Sequence, residues 1–384
     1  MKISIKRLFI ICICIFLIRP YYVQINPTMN KIWAGMTCVL SAFLMFKVFK
    51  YKKLSRGKWL IAWLFVMLLA TIKNQYYNIG GVISTFFQVV LAYNIGILFG
   101  IKKYRQTVED ILGKVIYIYI LMDLFFGVSE FSVKILGLKP EQTFLGYDNY
   151  AAYIILPMIA IKWAISILKK GKLDKSDWIC WGGEFIYKAV YMSFNAIVGL
   201  VLFLIIYIAS RYHKKFKKFL KPQYAIIVVI LLLFGIIKLH IHELFSGLFV
   251  AVGKGTTLGF RTVIWGKLVP KLGSIPIIGY GAVDSGFFQD TIGLSSIWDV
   301  EANHAHNFIL EIWFTTGIFG VILYIIFLWR NLKRASHLNM SYGLILLNGI
   351  VVYFLMGFID GYPGITTFYT LLAMTYVLEK EKEL

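Results

Sequence analysis

Apolar runs long enough to cross a bilayer recur through all 384 residues, and they limit the folds open to this chain more than any other feature. Hydrophobic residues make up 59% of the sequence, which is well above the apolar share of an ordinary soluble domain. In lipid, only helices and closed barrels satisfy their own backbone, and these runs have helical length rather than the length of alternating strands. The sequence therefore predicts an all-α polytopic membrane protein.

About twelve transmembrane helices are predicted, in one membrane bundle rather than several soluble domains. The predicted spans lie near 3–22, 31–49, 59–73, 79–100, 111–128, 150–168, 177–193, 195–211, 223–241, 306–329, 341–359 and 364–378. The seventh and eighth spans form either a tight hairpin or one long helix with a surface piece. The first span resembles a signal peptide but lacks a small-x-small cleavage site, so we expect an uncleaved helix.

The net charge of +21 does not by itself indicate nucleic-acid binding, because the basic residues cluster in alternate loops. The clusters lie at 1–7, 47–58, 102–114, 169–175, 211–221, 330–334 and 380–382. Cytoplasmic loops of membrane proteins are enriched in Lys and Arg, so this pattern predicts that both termini are cytoplasmic. The same clusters would attract anionic membrane lipid, and no nucleic-acid partner is expected.

Three regions follow from this topology. Residues 1–241 hold the first nine spans, 242–305 form one long extracytoplasmic loop, and 306–384 hold the last three spans. The loop contains Trp265 and Trp298 and only modest charge, so we expect short helices against the outer mouth of the bundle rather than disorder. The GKGTTLG stretch at 253–259 lacks the spacing of a nucleotide phosphate loop.

Basic residues in the outer loop are candidate phosphate ligands, because the topology rule disfavours them there. Arg261, Trp265 and Leu268 have the spacing of one helix face, and Lys267 follows on the same segment. A guanidinium offers a planar fork of donors that suits phosphate oxygens. The alternative is a solvated loop helix whose arginine pairs with an acidic residue of the loop, either Asp284 or Glu301.

Two histidines stand where a membrane helix begins, in the stretch EANHAHNFILEIW at 301–313. Imidazole titrates near neutral pH, so His306 could act as a general base, with His304 beside it. Asn307 could donate a hydrogen bond or cap the helix. A zinc site with His240 and His242 is the weaker alternative, because no third convincing ligand accompanies the pair.

Ionisable residues inside predicted spans are candidate functional residues by default. They are Asp123, Lys162, Glu184, Lys188 and Glu311. Glu184 and Lys188 are four residues apart and could simply pair on one helix face. Glu311 could orient a histidine or accept a substrate hydroxyl. Asp360, at an outer helix end, could line the same cavity or merely form a turn.

Motifs in the second part of the chain resemble those of the O-antigen polymerase and ligase family. His306-Asn307, then nine residues, then Gly317-Ile-Phe-Gly320 resembles the family's HN-x9-GxxG signature. RTVIW at 261–265 and PIIGYG at 276–281 resemble its outer-loop block. FLG at 144–146 and YDNYAA at 147–152 resemble its segment before the sixth helix. A Ser-Arg pair of the family is missing at 193–196, where Lys188 is the nearest basic residue.

This resemblance implies a GT-C-like bundle that transfers glycans from undecaprenyl diphosphate at the outer face of the bacterial cytoplasmic membrane. Arg261, with Lys267 or Lys188, would stabilise charge on the departing diphosphate, and His306 would take the acceptor's proton. The implied catalytic residues are His306, Arg261 and Glu311. The implied substrate-binding residues are His304, Asn307, Lys267, Lys188, Trp265, Gly279 and Gly281. No cofactor or metal is expected.

The resemblance leaves the acceptor open. A polymerase would elongate a lipid-linked repeat unit of O-antigen or capsule, whereas a ligase would transfer the glycan to lipid A core or another acceptor. Of these two reactions, that of a polymerase is predicted, with undecaprenyl diphosphate-linked oligosaccharide, membrane lipid and a chain-length regulator protein as partners. A flippase or solute transporter is the alternative from another class of protein.

Overall fold

The computed structural model describes residues 4–50, 57–74, 79–128, 142–191, 193–212, 222–239, 261–294, 302, 304–335, 341–361 and 363–378. Fifteen α-helices lie within these ranges. They are α1 (Ile5–Ile15), α2 (Tyr21–Ile25), α3 (Pro27–Lys50), α4 (Lys58–Lys73), α5 (Ile79–Phe99), α6 (Lys102–Val128), α7 (Asp148–Lys170), α8 (Lys175–Val190), α9 (Phe194–Tyr212), α10 (Pro222–Leu239), α11 (Arg261–Leu268), α12 (Ser285–Ile292), α13 (Phe308–Ala335), α14 (Ser341–Asp360) and α15 (Thr366–Leu378). A 3-10 helix, Val269–Ser274, follows α11. Within these ranges no β-strand forms, and the all-α prediction is confirmed.

Six helices of the described chain are long and apolar enough to cross a membrane. These candidate spans lie in α3, α5, α7, α9, α13 and α14. Large apolar side chains such as Phe125, Leu231 and Trp329 remain exposed on the outside of the bundle, as a lipid-facing surface requires. The protein is therefore an all-α membrane protein, while the count of about twelve spans stays a prediction.

Three of the predicted spans can be compared directly with the helices. The first was predicted as one helix near 3–22, and this is wrong, because α1 ends at Ile15 and α2 begins only after Pro20. Proline has no N–H to donate and restricts the residue before it, which ends the helical run there. The seventh and eighth spans form separate helices, α8 and α9, so the hairpin alternative is confirmed.

Small residues let the central helices approach closely. A Cβ on Gly96 of α5 would lie 2.5 Å from the Cβ of Ala373 in α15, and one on Gly349 of α14 would lie 2.6 Å from the Cβ of Ala160 in α7. Between α15 and α5, the Thr370 hydroxyl donates to a backbone carbonyl at 2.9 Å. Close backbones and hydrogen bonds between helices replace the hydrophobic driving force that lipid does not supply.

Two buried charges within predicted spans have structural partners. Lys162 donates to Asp177 at 2.6 Å and to the Ser176 hydroxyl at 2.7 Å, which joins α7 to α8. Asp123 of α6 accepts from the backbone N–H of Leu145 at 2.7 Å and so holds the turn before α7. These contacts compensate the cost of burying charge, and they favour structural roles for Lys162 and Asp123.

Candidate active site

Asp360, the last residue of α14, is the centre of a polar cluster. Its carboxylate accepts from Nη2 of Arg261 at 3.2 Å, from Nε2 of His304 at 3.2 Å and from Nδ1 of His306 at 2.8 Å. These partners lie 99, 56 and 54 residues away in the sequence. The cluster therefore joins the start of α11, the segment before α13 and the end of α14.

The position of Asp360 explains why it needs cationic or donor partners. The C-terminal end of a helix carries partial negative charge, so a carboxylate there is unfavourable unless positive groups compensate it. Only 3% of the Asp360 side chain is exposed. Burial alone would raise the pKa of Asp360, but the hydrogen bonds from both histidines and the charge of Arg261 hold that pKa well below its usual value. Asp360 is consequently an anion at physiological pH.

The anionic Asp360 determines which nitrogen of His306 carries the proton. A carboxylate only accepts hydrogen bonds, so Nδ1 of His306 must donate and Nε2 must keep its lone pair in the neutral ring. Burial lowers the pKa of His306 from its usual value, and the nearby charges of His304 and Arg261 lower it further, while Asp360 acts in the opposite direction. His306 is therefore neutral and basic near pH 7.

The backbone at His306 has a left-handed conformation, with φ of 47°. Few residues other than glycine adopt this conformation, and in proteins such strain is concentrated at functional sites. The conformation lets both imidazole rings reach one carboxylate oxygen although Ala305 lies between them, and the ring centroids are only 3.8 Å apart.

Three neighbouring residues hold the histidine segment in place. Nε1 of Trp265 donates to the Ala305 carbonyl at 2.8 Å, and the Glu311 carboxylate accepts from the Ala305 N–H at 2.8 Å. Asn307 caps α13, since its Oδ1 accepts from the backbone N–H groups of residues 309 and 310. Its amide also donates to the Phe358 carbonyl at 3.0 Å, which ties the cap to α14.

These contacts refine what the sequence predicted for the same residues. Trp265 and Asn307 are fully buried, which favours positioning roles over direct substrate contact. The cap that the sequence allowed for Asn307 is present. In the structure Asp360, rather than Glu311, is the carboxylate in contact with His306, and Glu311 acts on the backbone beside it.

Gly279 and Gly281 form the turn in which the segment after the 3-10 helix packs onto α13. Both have positive φ, 76° and 80°. Tyr280 and Gly281 donate backbone N–H groups to the carbonyls of Phe314 and Thr315, at 3.0 and 2.9 Å. At Gly317, α13 itself departs from helical geometry, and a Cβ there would lie 2.2 Å from a carbonyl oxygen of the loop. Two glycine motifs far apart in sequence thus meet in one close backbone contact.

Replacing Gly279 with alanine should destabilise the fold. A Cβ at this position would lie 2.5 Å from the backbone of α13, and positive φ adds strain, so we expect a loss above about 2 kcal/mol. The thermal unfolding midpoint in detergent measures the loss. Gly266→Ala in α11 is the matched control, because a Cβ there meets nothing within 4 Å and should be neutral or slightly stabilising. Unchanged stability in Gly279→Ala, with activity lost, would instead assign the glycine to substrate binding.

Two cavities are lined by α13, the helix into which the cluster's histidine segment leads. One, of about 490 Å³, lies among α4, α5, residues 282–288 and α13, where Glu311 and Thr315 face it. The other, of about 270 Å³, lies among α10, α13 and α14 and is lined almost entirely by apolar side chains. Its wall begins at Phe308 and Ile309, just after the histidine segment, and continues along α13 to Trp329.

Comparison with known proteins finds similarity over part of the chain. The family model described as O-antigen ligase matches residues 188–325. A protein of Rickettsia conorii named "Putative polysaccharide ligase" is 31% identical over 108 residues, which cover 26% of this chain. The match also spans only 26% of that relative. No solved structure matches the chain.

The predicted resemblance to the O-antigen polymerase and ligase family is confirmed.

The family match covers Arg261, His304, His306 and the kink at Gly317, but it ends before α14. Asp360 therefore lies outside the matched residues, and it was absent from the predicted site residues. The signal that could have identified it is an acidic residue at the end of an apolar run, where a carboxylate is costly without a partner. Sequence analysis left open whether this residue lines a cavity or forms a turn.

Two lysines that the sequence analysis assigned to the site lie outside the Asp360 cluster. Lys267 is exposed on α11, two residues beyond the buried Trp265. Lys188 is buried near the end of α8 and lines a small cavity with Glu184, Leu200 and Met356. Its ammonium lies 4.7 Å from the ring centroid of its neighbour Tyr187. In the described contacts, Arg261 is the cation that joins the cluster.

A metal ion could in principle use the same side chains. One ligand atom each from His304, His306 and Asp360 lies within 4.8 Å of the others. Arg261 contacts the same carboxylate, and its permanent charge would repel a divalent cation. His240 and His242, the other histidines considered for zinc, lie outside the described residues, as does Glu301. The expectation of a metal-free site stays a prediction.

Proposed function

We propose that the protein transfers a glycan from a polyprenyl diphosphate carrier to the hydroxyl of an acceptor, at the outer face of the bacterial cytoplasmic membrane. The observation that carries this proposal is the convergence of Arg261 and His306 on Asp360. A fixed cation and a neutral imidazole then lie together at a helix end, next to an apolar cavity. Those are the groups needed to cleave the bond between C1 of a sugar and the oxygen of a lipid diphosphate.

The acceptor hydroxyl would lose its proton to His306. Nδ1 of His306 donates to the Asp360 carboxylate, so the lone pair on Nε2 is the proton acceptor. As the acceptor oxygen bonds to C1 of the donor sugar, the bond from C1 to the diphosphate oxygen breaks, and the pair of electrons leaves with the diphosphate. Attack from the side opposite the leaving group inverts the anomeric centre.

Arg261 would stabilise the leaving diphosphate. A guanidinium has five N–H donors in a rigid plane, so a contact to Asp360 through Nη2 is compatible with further contacts to phosphate oxygens. Only 15% of the Arg261 side chain is exposed, and electrostatic stabilisation of charge that grows in a transition state is stronger away from water. Lys267 is the exposed cation on the same helix and could meet the second phosphate.

The apolar cavity would hold the lipid. It is lined by residues of α10, α13 and α14, including Ile227, Ile312 and Phe354, and it begins beside the histidine segment. An isoprenoid chain has no polar atoms, so apolar walls suit it and its diphosphate would emerge at the polar cluster. This placement supports a lipid-linked donor over a water-soluble nucleotide sugar.

The charge distribution supports an extracytoplasmic site. The cluster lies at the first turn of α13, while Arg330 and Lys333 lie near the opposite end of that helix. Because basic residues mark the cytoplasmic ends of membrane helices, the cluster would face outward. Diphosphate-linked glycans displayed outside the membrane would then be the accessible substrates.

The acceptor defines two candidates. Transfer to another lipid-linked repeat unit, the polymerase prediction, would lengthen a polysaccharide. Transfer to lipid A core or another acceptor is the ligase alternative, which the descriptions of the matching family and of the Rickettsia relative favour. The site described here serves either reaction, because both break the same bond and deprotonate a hydroxyl.

One reconstitution tests the proposal. Purified protein in liposomes would receive a fluorescent undecaprenyl diphosphate oligosaccharide, alone or with lipid A core, and the products would be separated on a gel. A ladder with donor alone indicates a polymerase, and a single shifted lipid A product indicates a ligase. Liposomes without protein are the control. Movement of intact donor across the bilayer, with no new glycosidic bond, would refute transfer and indicate a flippase.

A further inference from the structure

The larger cavity, of about 490 Å³, is not needed for the lipid. α13 lines it with Glu311 and Thr315, whereas the apolar cavity is lined by Phe308, Ile309 and Ile312 of the same helix. The two cavities therefore lie on different faces of α13. Its volume falls within the range of about 300–1,000 Å³ that is usual for small-molecule pockets.

The cavity is lined by residues close in sequence to two of the three segments that build the polar cluster. Glu311 lines it and accepts the N–H of Ala305, the residue between the two histidines. Pro363 and Gly364 also line it and follow Asp360 by three and four residues. Glu311 therefore connects this cavity to the histidine segment, although the described lining residues do not include His304, His306 or Asp360.

The lining has the chemistry of a sugar pocket. Thr85 and Thr315 supply hydroxyls, whereas the aromatic Trp63 and Phe288 form buried parts of the wall. Asp284 and Glu311 supply carboxylate oxygens, which accept hydrogen bonds from sugar hydroxyls. A largely apolar wall with a few converging polar groups is the usual design of a selective pocket.

The charged side chains that line this cavity all have the same sign. Asp284 and Glu311 are acidic, and among the described residues that line this cavity none is a lysine or an arginine. An anionic sugar would be brought close to carboxylates without a compensating cation, which costs binding free energy. An amine on the sugar would instead be attracted.

We propose that this cavity binds the terminal sugar of the acceptor, and that Asp284 and Glu311 select a neutral or amine-bearing sugar over an anionic one. The assignment rests on the proposed glycosyl transfer and adds the acceptor's position and charge. It places the acceptor near the histidine segment through Glu311, in a cavity that shares no described lining residue with the apolar cavity, so that donor and acceptor would approach the base separately.

Filling the cavity tests its occupant. Thr85→Trp should raise the acceptor KM at least about tenfold while the donor KM stays within about twofold, because only the acceptor's space is lost. Ile83→Trp is the matched control, since Ile83 lies two residues away on the same helix with an exposed side chain. Thermal midpoints of both variants confirm folding. An unchanged acceptor KM in Thr85→Trp would overturn the assignment.

Charge selection is tested with three synthetic oligosaccharides that end in N-acetylglucosamine, glucosamine or glucuronic acid. Wild type should use the first two with kcat/KM about tenfold or more above that for the third. Asp284→Asn should narrow this preference at least about threefold, and it keeps the helix cap because asparagine caps as well as aspartate. Asp290→Asn on the same helix is the control. A wild type that prefers the glucuronate acceptor would refute the selection.

A binding measurement separates failure of this inference from failure of the proposed function. Saturation-transfer NMR with the same three oligosaccharides reports binding without chemistry. Binding that Thr85→Trp abolishes, in a protein that transfers nothing, would reject glycosyl transfer and keep the saccharide pocket. Transfer that proceeds normally in Thr85→Trp would keep the function and reject the pocket.

Discussion

His306→Asn should reduce kcat for glycan transfer by about 10²–10⁴-fold. The substitution removes the only basic nitrogen that we assign to the acceptor hydroxyl. Asparagine tolerates the left-handed backbone at this position, where φ is 47°, so the fold should persist. Initial rates at saturating donor and acceptor measure the effect, and the thermal midpoint in detergent verifies folding.

His304→Asn is the matched control for this prediction. His304 contacts the same Asp360 oxygen, but at 3.2 Å rather than the 2.8 Å of His306, and we assign it no proton transfer. Its loss should cost roughly tenfold or less, mainly through a weaker hold on Asp360. A loss in His304→Asn equal to that in His306→Asn, or normal activity in both, would remove His306 as the base.

Asp360→Asn should lower kcat by about 10²–10⁴-fold, for a different reason. An amide can donate as well as accept, so it no longer obliges His306 to carry its proton on Nδ1 and to keep the lone pair on Nε2. Arg261 would also lose the carboxylate at 3.2 Å that positions it. The same kinetic assay measures the loss in the full-length protein.

The pH dependence separates this explanation from simple misfolding. A base must be neutral to act, so activity should fall as pH drops through the lowered pKa of His306. Asp360 raises the pKa of His306, so Asp360→Asn should move the acid limb of the kcat profile to lower pH. Arg261 lowers that pKa, so Arg261→Gln should move the limb to higher pH. Shifts in the same direction would contradict the cluster as described.

Secondary structure was predictable from the sequence, because hydropathy is a local property and lipid imposes helices on apolar runs of sufficient length. The prediction of one helix for the first span was wrong for an equally local reason. A hydropathy pattern does not register the conformational effect of Pro20. Whether 177–211 is one helix or two depends on where α8 ends, at Val190, and where α9 begins, at Phe194, and hydropathy resolves such boundaries poorly.

Part of the candidate site was also predictable. Arg261 was conspicuous as a basic residue where topology disfavours one, and His306 as a titratable group at the start of an apolar helix. The family match covers both residues. The motifs marked the segments that hold Arg261 and His306, because each motif is short and continuous in sequence.

The sequence by itself determined that this chain is a helical membrane protein with a polar segment before α13, since bilayer burial and motif spacing act over neighbouring residues. Only the tertiary structure decided that Asp360, 54 residues beyond His306, joins the histidines and Arg261. It also decided that the turn at Gly279 packs on the kink at Gly317. Such pairings depend on how helices pack, and packing follows from the shapes of all the contacting surfaces together rather than from any one segment.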